Sequence, residues 1–384
     1  MTSFGRRIVL TVVGNRPQFV KAAAVSSHLR ERAEEVLVDT GQHYDPELSQ
    51  IFIDELGAPP PDHQLEARSG THAGQTSEMM VRLEPVVEAE RPDAVLIYGD
   101  TNTTLAGALV AAKLDVPVAH VEAGMRSFDR TMPEEVNRIV ADHVADLLLC
   151  STEVAVENLR REGLGERARL VGDVMADIAM RFAPTAERRS RVLGELGLAP
   201  GGYCLFTAHR AANVDDPAGL ERLVDVLGQV AARCGPVVFP VHPRTGALLA
   251  NGGLRAGVEG NPGIELCEPL GYLEFAALLG GARALFTDSG GLQKEAYLAG
   301  VPCITMREQT EWVETVESGW NRLVGLDAER AVAAFEELEG LRGGERAPLY
   351  GDGQAGRRVV DELLSWLDRP GNDARAGRPS RPAG

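Results

Sequence analysis

Thr287-Asp288-Ser289-Gly290-Gly291-Leu292-Gln293-Lys294-Glu295 is the stretch on which the fold turns. Before it, Ala282 to Phe286 is a short apolar run after two glycines, the pattern of a strand buried in a parallel sheet. After it, Leu292 to Leu298 lacks proline and β-branched residues, and Gly300 supplies a helix stop. Val301-Pro302-Cys303-Ile304-Thr305-Met306 reads as the next strand. Ser289-Gly290-Gly291 is therefore a strand-to-helix turn. Glycines let backbone approach a ligand, and the free N–H groups of a helix N-terminus carry partial positive charge, so a diphosphate is the natural occupant. Glu295, one helical turn on, has the reach for a ribose hydroxyl. An ordinary βα turn packed with small residues has the same local sequence.

The same alternation runs outward in both directions. Ile8 to Val13 is a β-branched strand, followed by Gly14-Asn15-Arg16-Pro17-Gln18 and a helix carrying Lys21. Glu35 to Asp39 is the second strand. The polar loop Gly41 to Pro46 precedes a helix with Leu48, Ile51 and Phe52, and Pro59 to Gly74 reads as a surface loop. Met79, Met80, Leu83, Val86 and Val87 mark one face of a helix and belong to a core. Ala94 to Ile97 is a strand ending at Gly99-Asp100-Thr101, where Asp100 fits a helix N-cap and Leu105, Ala108, Leu109 and Ala112 the buried face beyond. Val116 to His120 leads to Glu122, and Pro133-Glu134-Glu135 opens a helix with Asn137 and Arg138. The pattern restarts at Tyr203 to Thr207, before His209 and Arg210, and again at Val237 to Val241, before His242. The last helix is apolar at Val359, Val360, Leu363, Leu364 and Leu367.

Strands alternating with helices predict α/β architecture with parallel sheets. Asp93 to Glu122 and Ala282 to Glu308 share one order: strand, Asp with small polar residues, helix, Val-Pro, strand, acidic residue. That likeness predicts two doubly wound, Rossmann-like domains facing across a cleft. They are expected at 1–175 and 176–354, with the helix at 355–368 packing back on the first and a disordered tail at 370–384.

Arg16, Lys21, Asp100, Glu122, Glu134, His209, His242, Ser289 and Glu295 all fall at or after strand C-terminal ends. Each has an ordinary reading, as a solvated cation, a cap, a first-turn helix charge or a hydrogen-bonded histidine. Together, on the edge where parallel sheets place active sites, they suit proton transfer on a phosphorylated or nucleotide-linked substrate.

Composition narrows the class. The chain has 384 residues, 44% hydrophobic and 25% charged, with a formal charge of −17. That charge argues against nucleic acid or an anionic membrane as partner. Five cysteines without a C-x-x-C pair point to buried thiols in a reducing compartment. No signal peptide or span of transmembrane length is evident, so a cytoplasmic location is expected. No G-x-G-x-x-G follows the first strand, no Tyr precedes Lys by four positions, and no P-loop appears, leaving Rossmann NAD sites, short-chain dehydrogenases and P-loop kinases unsupported. No ligand spacing suggests a metal cage.

Taken in order, the motifs Gly14-Asn15-Arg16-Pro17-Gln18 with Lys21, Gly41-Gln42-His43, Gly99-Asp100-Thr101, His120-Val121-Glu122-Ala123-Gly124, Pro133-Glu134-Glu135 with Asn137-Arg138, His209-Arg210, Asp288-Ser289-Gly290-Gly291 with Gln293 and Glu295, and Thr310-Glu311 closely resemble the bacterial non-hydrolysing UDP-N-acetylglucosamine 2-epimerases. The resemblance runs from Ile8 to about Leu367 and implies the GT-B fold. It implies that Arg16 and Ser289-Gly290-Gly291 bind the diphosphate, that Glu295 holds the ribose, and that Tyr272 and Phe275 seat the uracil. Asp100, Glu122 and Glu134 would be the acid/base carboxylates, with His209 and Lys21 assisting at the leaving diphosphate and Arg210 and His242 among the substrate contacts. Gln42 and His43 match a motif that binds an activating second substrate in some members. Neither cofactor nor metal is implied, and a homodimer is. The implied reaction interconverts UDP-GlcNAc and UDP-ManNAc. Rival readings are a 2-epimerase of a modified UDP-2-acetamido sugar, a GT-B glycosyltransferase, and a non-catalytic nucleotide-sugar sensor.

Overall fold

The computed structural model describes residues 6–42, 59–67, 70–189, 191–369 and Asn372. The chain forms two compact units, one of residues up to Ile178 together with those from Tyr350 onward, the other Ala179–Leu349.

The first unit is built on seven parallel strands: β1 (Ile8–Val13), β2 (Glu34–Asp39), β3 (His63–Gln64), β4 (Ala94–Tyr98), β5 (Val118–Ala123), β6 (Leu147–Cys150) and β7 (Ala168–Leu170), in the order β3-β2-β1-β4-β5-β6-β7. Its helices are α1 (Arg16–Arg32), α2 (His72–Glu90), α3 (Asn102–Lys113), α4 (Pro133–Val144), α5 (Glu153–Arg161) and α6 (Val174–Arg189). Every residue of β1 and β4 is buried, which is why these strands, Thr11 apart, are apolar runs rather than alternating.

The second unit repeats the plan with β8 (Cys204–Thr207), β9 (Val237–Pro240), β10 (Ile264–Cys267), β11 (Leu285–Thr287), β12 (Cys303–Thr305) and β13 (Asn321–Leu323), ordered β10-β9-β8-β11-β12-β13. Its helices are α7 (Val192–Glu195), α8 (Ala211–Val214), α9 (Pro217–Arg233), α10 (Pro243–Asn251), α11 (Arg255–Glu259), α12 (Tyr272–Gly281), α13 (Gly290–Ala299), α14 (Val313–Glu317) and α15 (Ala328–Leu338). The terminal helix α16 (Ala355–Leu367) belongs to the first unit and packs on α1. Alternate residues of the central strands enter two separate cores: Phe206, Phe239, Phe286 and Ile304 in one, Leu205, Val238, Leu285 and Cys303 in the other. Both faces of the sheet are therefore covered, as double winding requires. Each sheet reverses its strand order at one place, between β1 and β4 and between β8 and β11, where open α/β sheets bind ligands beyond the strand ends.

Some expectations need correction. Pro59 to Gly74 is not one loop: it contains β3, and α2 already starts at His72, capped by Thr71 Oγ1 accepting from Gly74 N at 3.2 Å. The cap of α3 is Thr101, not Asp100. The buried residues of α3 are Asn102, Thr103, Thr104, Ala106, Gly107, Ala108, Val110 and Ala111, while Ala112 is exposed and Leu105 and Leu109 are half-buried. The helix expected at Leu48 to Phe52 lies outside the described residues, as do His43 and, apart from Asn372, the tail from 370.

All five cysteines are free thiols, and four are buried. Burial raises their pKa values, to about 12 for Cys204 and Cys303 and about 11 for Cys234 and Cys267. Among the described residues no helix is long and apolar enough to cross a membrane.

Candidate active site

In the first unit the polar groups gather where β1, β4 and β5 end. Asn15 caps α1, its Oδ1 accepting from Gln18 N at 3.1 Å. Gln18 is buried; it accepts from Gly14 N at 2.9 Å and donates to Tyr98 O at 2.8 Å, stapling the first turn to the end of β4. Arg16 opens α1. Lys21 lies on the next turn, only 9% exposed, and its ammonium pairs with Glu122.

Glu122 occupies an unusual backbone. Its φ is 69°, in a region costly for a residue with a side chain, and the β5–β6 register shifts between Val121 and Ala123. The bulge turns Glu122 out of the strand's alternation and toward Lys21. Such strain concentrates at functional sites. Gly99, with φ of 64°, sits against the same pair: a methyl there would lie 3.1 Å from Lys21 Nζ and 3.3 Å from Glu122 Oε2.

Asp100, whose carboxylate is one-third exposed, pairs with the buried Arg138 of α4. Arg138 Nη1 also donates to Glu135 Oε2 at 2.7 Å, and Glu135 accepts from Ser127 N and Phe128 N at 2.9 Å each. Asn137 Nδ2 donates to the Asp100 carbonyl at 3.0 Å. Glu134 stands one turn before Arg138 on α4 and makes no hydrogen bond or ion pair among the described residues. The three candidate carboxylates thus differ: Glu122 on a lysine, Asp100 on an arginine, and Glu134 without an ion-pair partner among the described residues. Gln42 is held at the start of α3, its Oε1 accepting from Thr103 N at 3.0 Å.

A buried network underlies these turns. His120 Nε2 donates to the Gly99 carbonyl at 2.7 Å, and its Nδ1 lies 2.7 Å from Asp142 Oδ1. Asp142 also accepts from Gly124 N at 3.1 Å and pairs with Arg126 at 2.7 Å. Burial alone would raise the Asp142 pKa, but His120 and Arg126 outweigh it and hold the group below its ordinary value.

In the second unit the organiser is Asp288, fully buried at the end of β11. It accepts from His209 N at 3.1 Å, Arg210 N at 3.0 Å and Asn213 Nδ2 at 3.1 Å, fixing the turn after β8. The His209 ring is 43% exposed and its centroid lies 5.8 Å from that of His242, which caps α10. Ser289 is the N-cap of α13, yet its side chain makes no cap hydrogen bond; its amide donates to Thr287 Oγ1 at 3.0 Å. Gly290 and Gly291 form the first turn, and Glu295 follows on the same helix. A methyl on Gly290 would collide with Glu311 Oε1, and on Gly291 would meet nothing within 4 Å. Tyr272 is buried at the start of α12, and Phe275 packs half-buried on the Leu205 core. A helix terminus with its amides uncapped, next to an exposed imidazole, is suited to a phosphate-bearing ligand.

Sequence reasoning named Arg138, Asp288 and Glu311 within motifs without giving them these roles, and it passed over Arg307. Their pairings are tertiary, and no local signal carries them.

A family profile described as UDP-N-acetylglucosamine 2-epimerase matches residues 27–364. A Pseudomonas aeruginosa relative named UDP-2,3-diacetamido-2,3-dideoxy-D-glucuronate 2-epimerase is 46% identical, covering 92% of this chain and 99% of its own. A Methanocaldococcus jannaschii UDP-N-acetylglucosamine 2-epimerase is 40% identical, covering 91% and 96%. The crystal structure of the M. jannaschii enzyme in complex with UDP-GlcNAc and UDP aligns with a TM-score of 0.85 at 39% identity, over 94% of this chain and 99% of that one. The Neisseria meningitidis UDP-GlcNAc 2-epimerase bound to UDP-GlcNAc aligns at 0.84 with 27% identity, over 93% and 100%.

Proposed function

The chain belongs to the UDP-N-acetylglucosamine 2-epimerase family, and from that premise we propose that it is an isomerase interconverting UDP-GlcNAc and UDP-ManNAc. The C2 proton of such a sugar is not next to a carbonyl, so simple deprotonation is prohibitive. Loss of UDP together with that proton is open instead. The C1–O bond breaks, its electron pair leaves with UDP, and a carboxylate takes the C2 proton to give 2-acetamidoglucal. UDP then adds back at C1 while a carboxylic acid returns a proton to the opposite face of C2. Only a proton and UDP leave and return, and no hydride moves in either step, so this route calls for no nicotinamide.

Asp100, Glu122 and Glu134 serve as the acid/base groups. Lys21 and His209 stabilise the departing diphosphate, which Arg16 and the amides of Ser289-Gly290-Gly291 hold. Glu295 takes the ribose, Tyr272 and Phe275 the uracil, and Arg210 and His242 the remaining substrate contacts. Gln42 and His43 belong to a regulatory contact. The enzyme acts in the cytoplasm as a homodimer. The observation that carries the reading is the pairing of carboxylates with buried cations at neighbouring strand ends, Glu122 with Lys21 and Asp100 with Arg138.

A second substrate has a specific reason behind it. The P. aeruginosa relative, at 46% identity, is named for a 2,3-diacetamido uronate, so the modified UDP-sugar stands beside UDP-GlcNAc. Incubating each sugar with the protein in deuterated water, without added nicotinamide or metal, tests both. The expected result is C2 deuterium and a changed C1–H coupling in the recovered UDP-sugar. Recovery of both sugars without deuterium sinks the proposal, and transfer of the sugar to an acceptor selects a glycosyltransferase.

A further inference from the structure

Glu311 lies on the loop between β12 and α14, and its carboxylate reaches the first turn of α13, where Oε1 fills the space a Gly290 side chain would need. The placement is tethered. Thr310 Oγ1 donates to Gln293 Oε1 of α13 at 2.7 Å and accepts from Trp312 N at 3.1 Å, so one neighbour of Glu311 is fixed to the helix it faces and the other is fixed to that neighbour. Glu311 Oε2 pairs with Arg307 Nη2 at 2.9 Å, and both side chains are only 9% exposed. Arg210 Nη2 stands 3.9 Å from Oε1. The other terminal nitrogen of Arg307, Nη1, is buried without a hydrogen-bond partner among the described residues and lies 3.7 Å from the position of a Gly290 Cβ. An unpaired guanidinium N–H in a buried setting is costly unless an acceptor meets it.

We propose that Arg307 is a further donor to the anion site at the start of α13 and that Glu311 is a built-in competitor for that site. This rests on the reading of the helix terminus as the diphosphate site. A diphosphate there meets the same donors that Glu311 uses: Arg307, Arg210 and the positive end of the helix. Like charges in a desolvated pocket repel strongly, so the carboxylate holds diphosphate affinity below what the cations and amides alone would give. The arrangement suits an enzyme whose nucleotide must let go of a sugar, take it back and then leave with it. Tight, uniform binding of every state slows release without speeding chemistry. Glu311 and Arg307 are thus positioning and affinity-setting residues.

The test is calorimetric binding of UDP and of uridine to the wild-type chain and to Glu311→Gln, Arg307→Gln and Arg307→Lys, at low and high salt. Glu311→Gln keeps the shape and removes the charge; UDP should bind about tenfold tighter. Arg307→Gln should bind UDP about tenfold more weakly and with a shallower salt dependence, and Arg307→Lys, which keeps charge but loses the planar fork, should fall between it and wild type. Uridine affinity should be the same in all four proteins. Glu311→Gln binding UDP no tighter than wild type, or Arg307→Gln binding it equally well, overturns the inference. So does a change in uridine affinity that matches the change for UDP, since that marks a structural effect. Wild-type protein that binds UDP no better than uridine is a different outcome and overturns the diphosphate reading itself.

Discussion

The two βαβ segments β4-α3-β5 and β11-α13-β12 occupy the same place in their sheets, fourth and fifth strands flanking the order reversal, yet they treat the helix N-terminus in opposite ways. In the first, Thr101 Oγ1 accepts from Thr104 N and Thr104 Oγ1 accepts from Thr101 N at 3.1 Å, so the terminus is closed by its own residues. The charge at that turn is carried by side chains, Asp100 on Arg138 and, on the next strand, Glu122 on Lys21. In the second, the cap residue Ser289 makes no cap bond, two glycines follow, and the acidic residue of the turn, Asp288, is turned inward onto two donors of the β8–α8 connection and one of α8. One backbone plan therefore yields a helix terminus closed by its own side chains beside paired carboxylates, and another left open, the division of labour that the proposed function needs. The difference lies in which polar groups the protein satisfies internally.

The largest expected effect breaks the first half of that comparison. Asp100→Asn and Glu122→Gln should each lower turnover by about a thousandfold, within the usual span of general acid–base catalysis, the first with little change in thermal midpoint because Arg138 keeps Glu135, the second with a lower midpoint but an intact fold because Lys21 loses its counter-charge. Near-normal turnover in either removes that residue from the chemistry. Next, Asp142→Asn should cost about 3–5 kcal/mol, because Arg126 and His120 stay buried without their counter-charge; urea unfolding measures it. The sign of its pH dependence is set by the lowered Asp142 pKa. That contribution is full above the ordinary value of 3.8 and is lost as pH falls through the folded-state value, so the gap between variant and wild type should narrow below about pH 4.

The contrast between the helix termini sharpens with smaller changes. Gly290→Ala should weaken UDP binding about tenfold, since a methyl at the mouth of α13 holds the diphosphate off the first-turn amides and outweighs any release of Glu311, with a loss of stability under about 1 kcal/mol. Thr101→Ala should do the reverse, lowering stability by about 1 kcal/mol through the lost capping box while UDP affinity stays the same. Ser289→Ala should leave stability within about 0.5 kcal/mol of wild type. Equal stability losses at Thr101 and Ser289 would erase the distinction between a closed and an open terminus.

Much of this was legible from residue order alone. The central strands are predominantly apolar runs, and the turn residues after them are the ones that gather at the strand ends. The edge strands β3, β7 and β13 were not legible: His63–Gln64, Ala168–Leu170 and Asn321–Leu323 are two or three residues each, the first wholly polar and the others mixing charged or polar side chains with apolar ones, so no period appears. Helix α3 misled for a different reason. It is buried around most of its circumference, small residues included, so no apolar stripe marks the inner face. The strand β5 ran three residues past His120 because a bulge at Glu122 continues it with a shifted register. Asp100 looks like a cap because Asp before Thr usually is one; only the fold supplies Arg138 to draw it away. The Arg307–Glu311 pair needs the loop tether through Gln293 to be seen at all.

Helix α16 carries a consequence for biogenesis. Gly356 packs directly against the Ala24 carbonyl of α1, the Asp177 carboxylate accepts from Ala355 N at 3.0 Å and Gly356 N at 2.7 Å, and Val359, Val360, Leu363 and Leu367 are fully buried. A ribosome makes the seven-stranded sheet first and the helix that completes it last, with the whole second unit in between. The earlier-made half must wait, its α1 flank uncovered, while the later-made half can finish as soon as Leu349 has emerged. Chains truncated just before Ala355 and released from the ribosome should therefore show a protease-resistant second unit and a still-cleavable first one, an inversion of the usual N-to-C order of domain maturation.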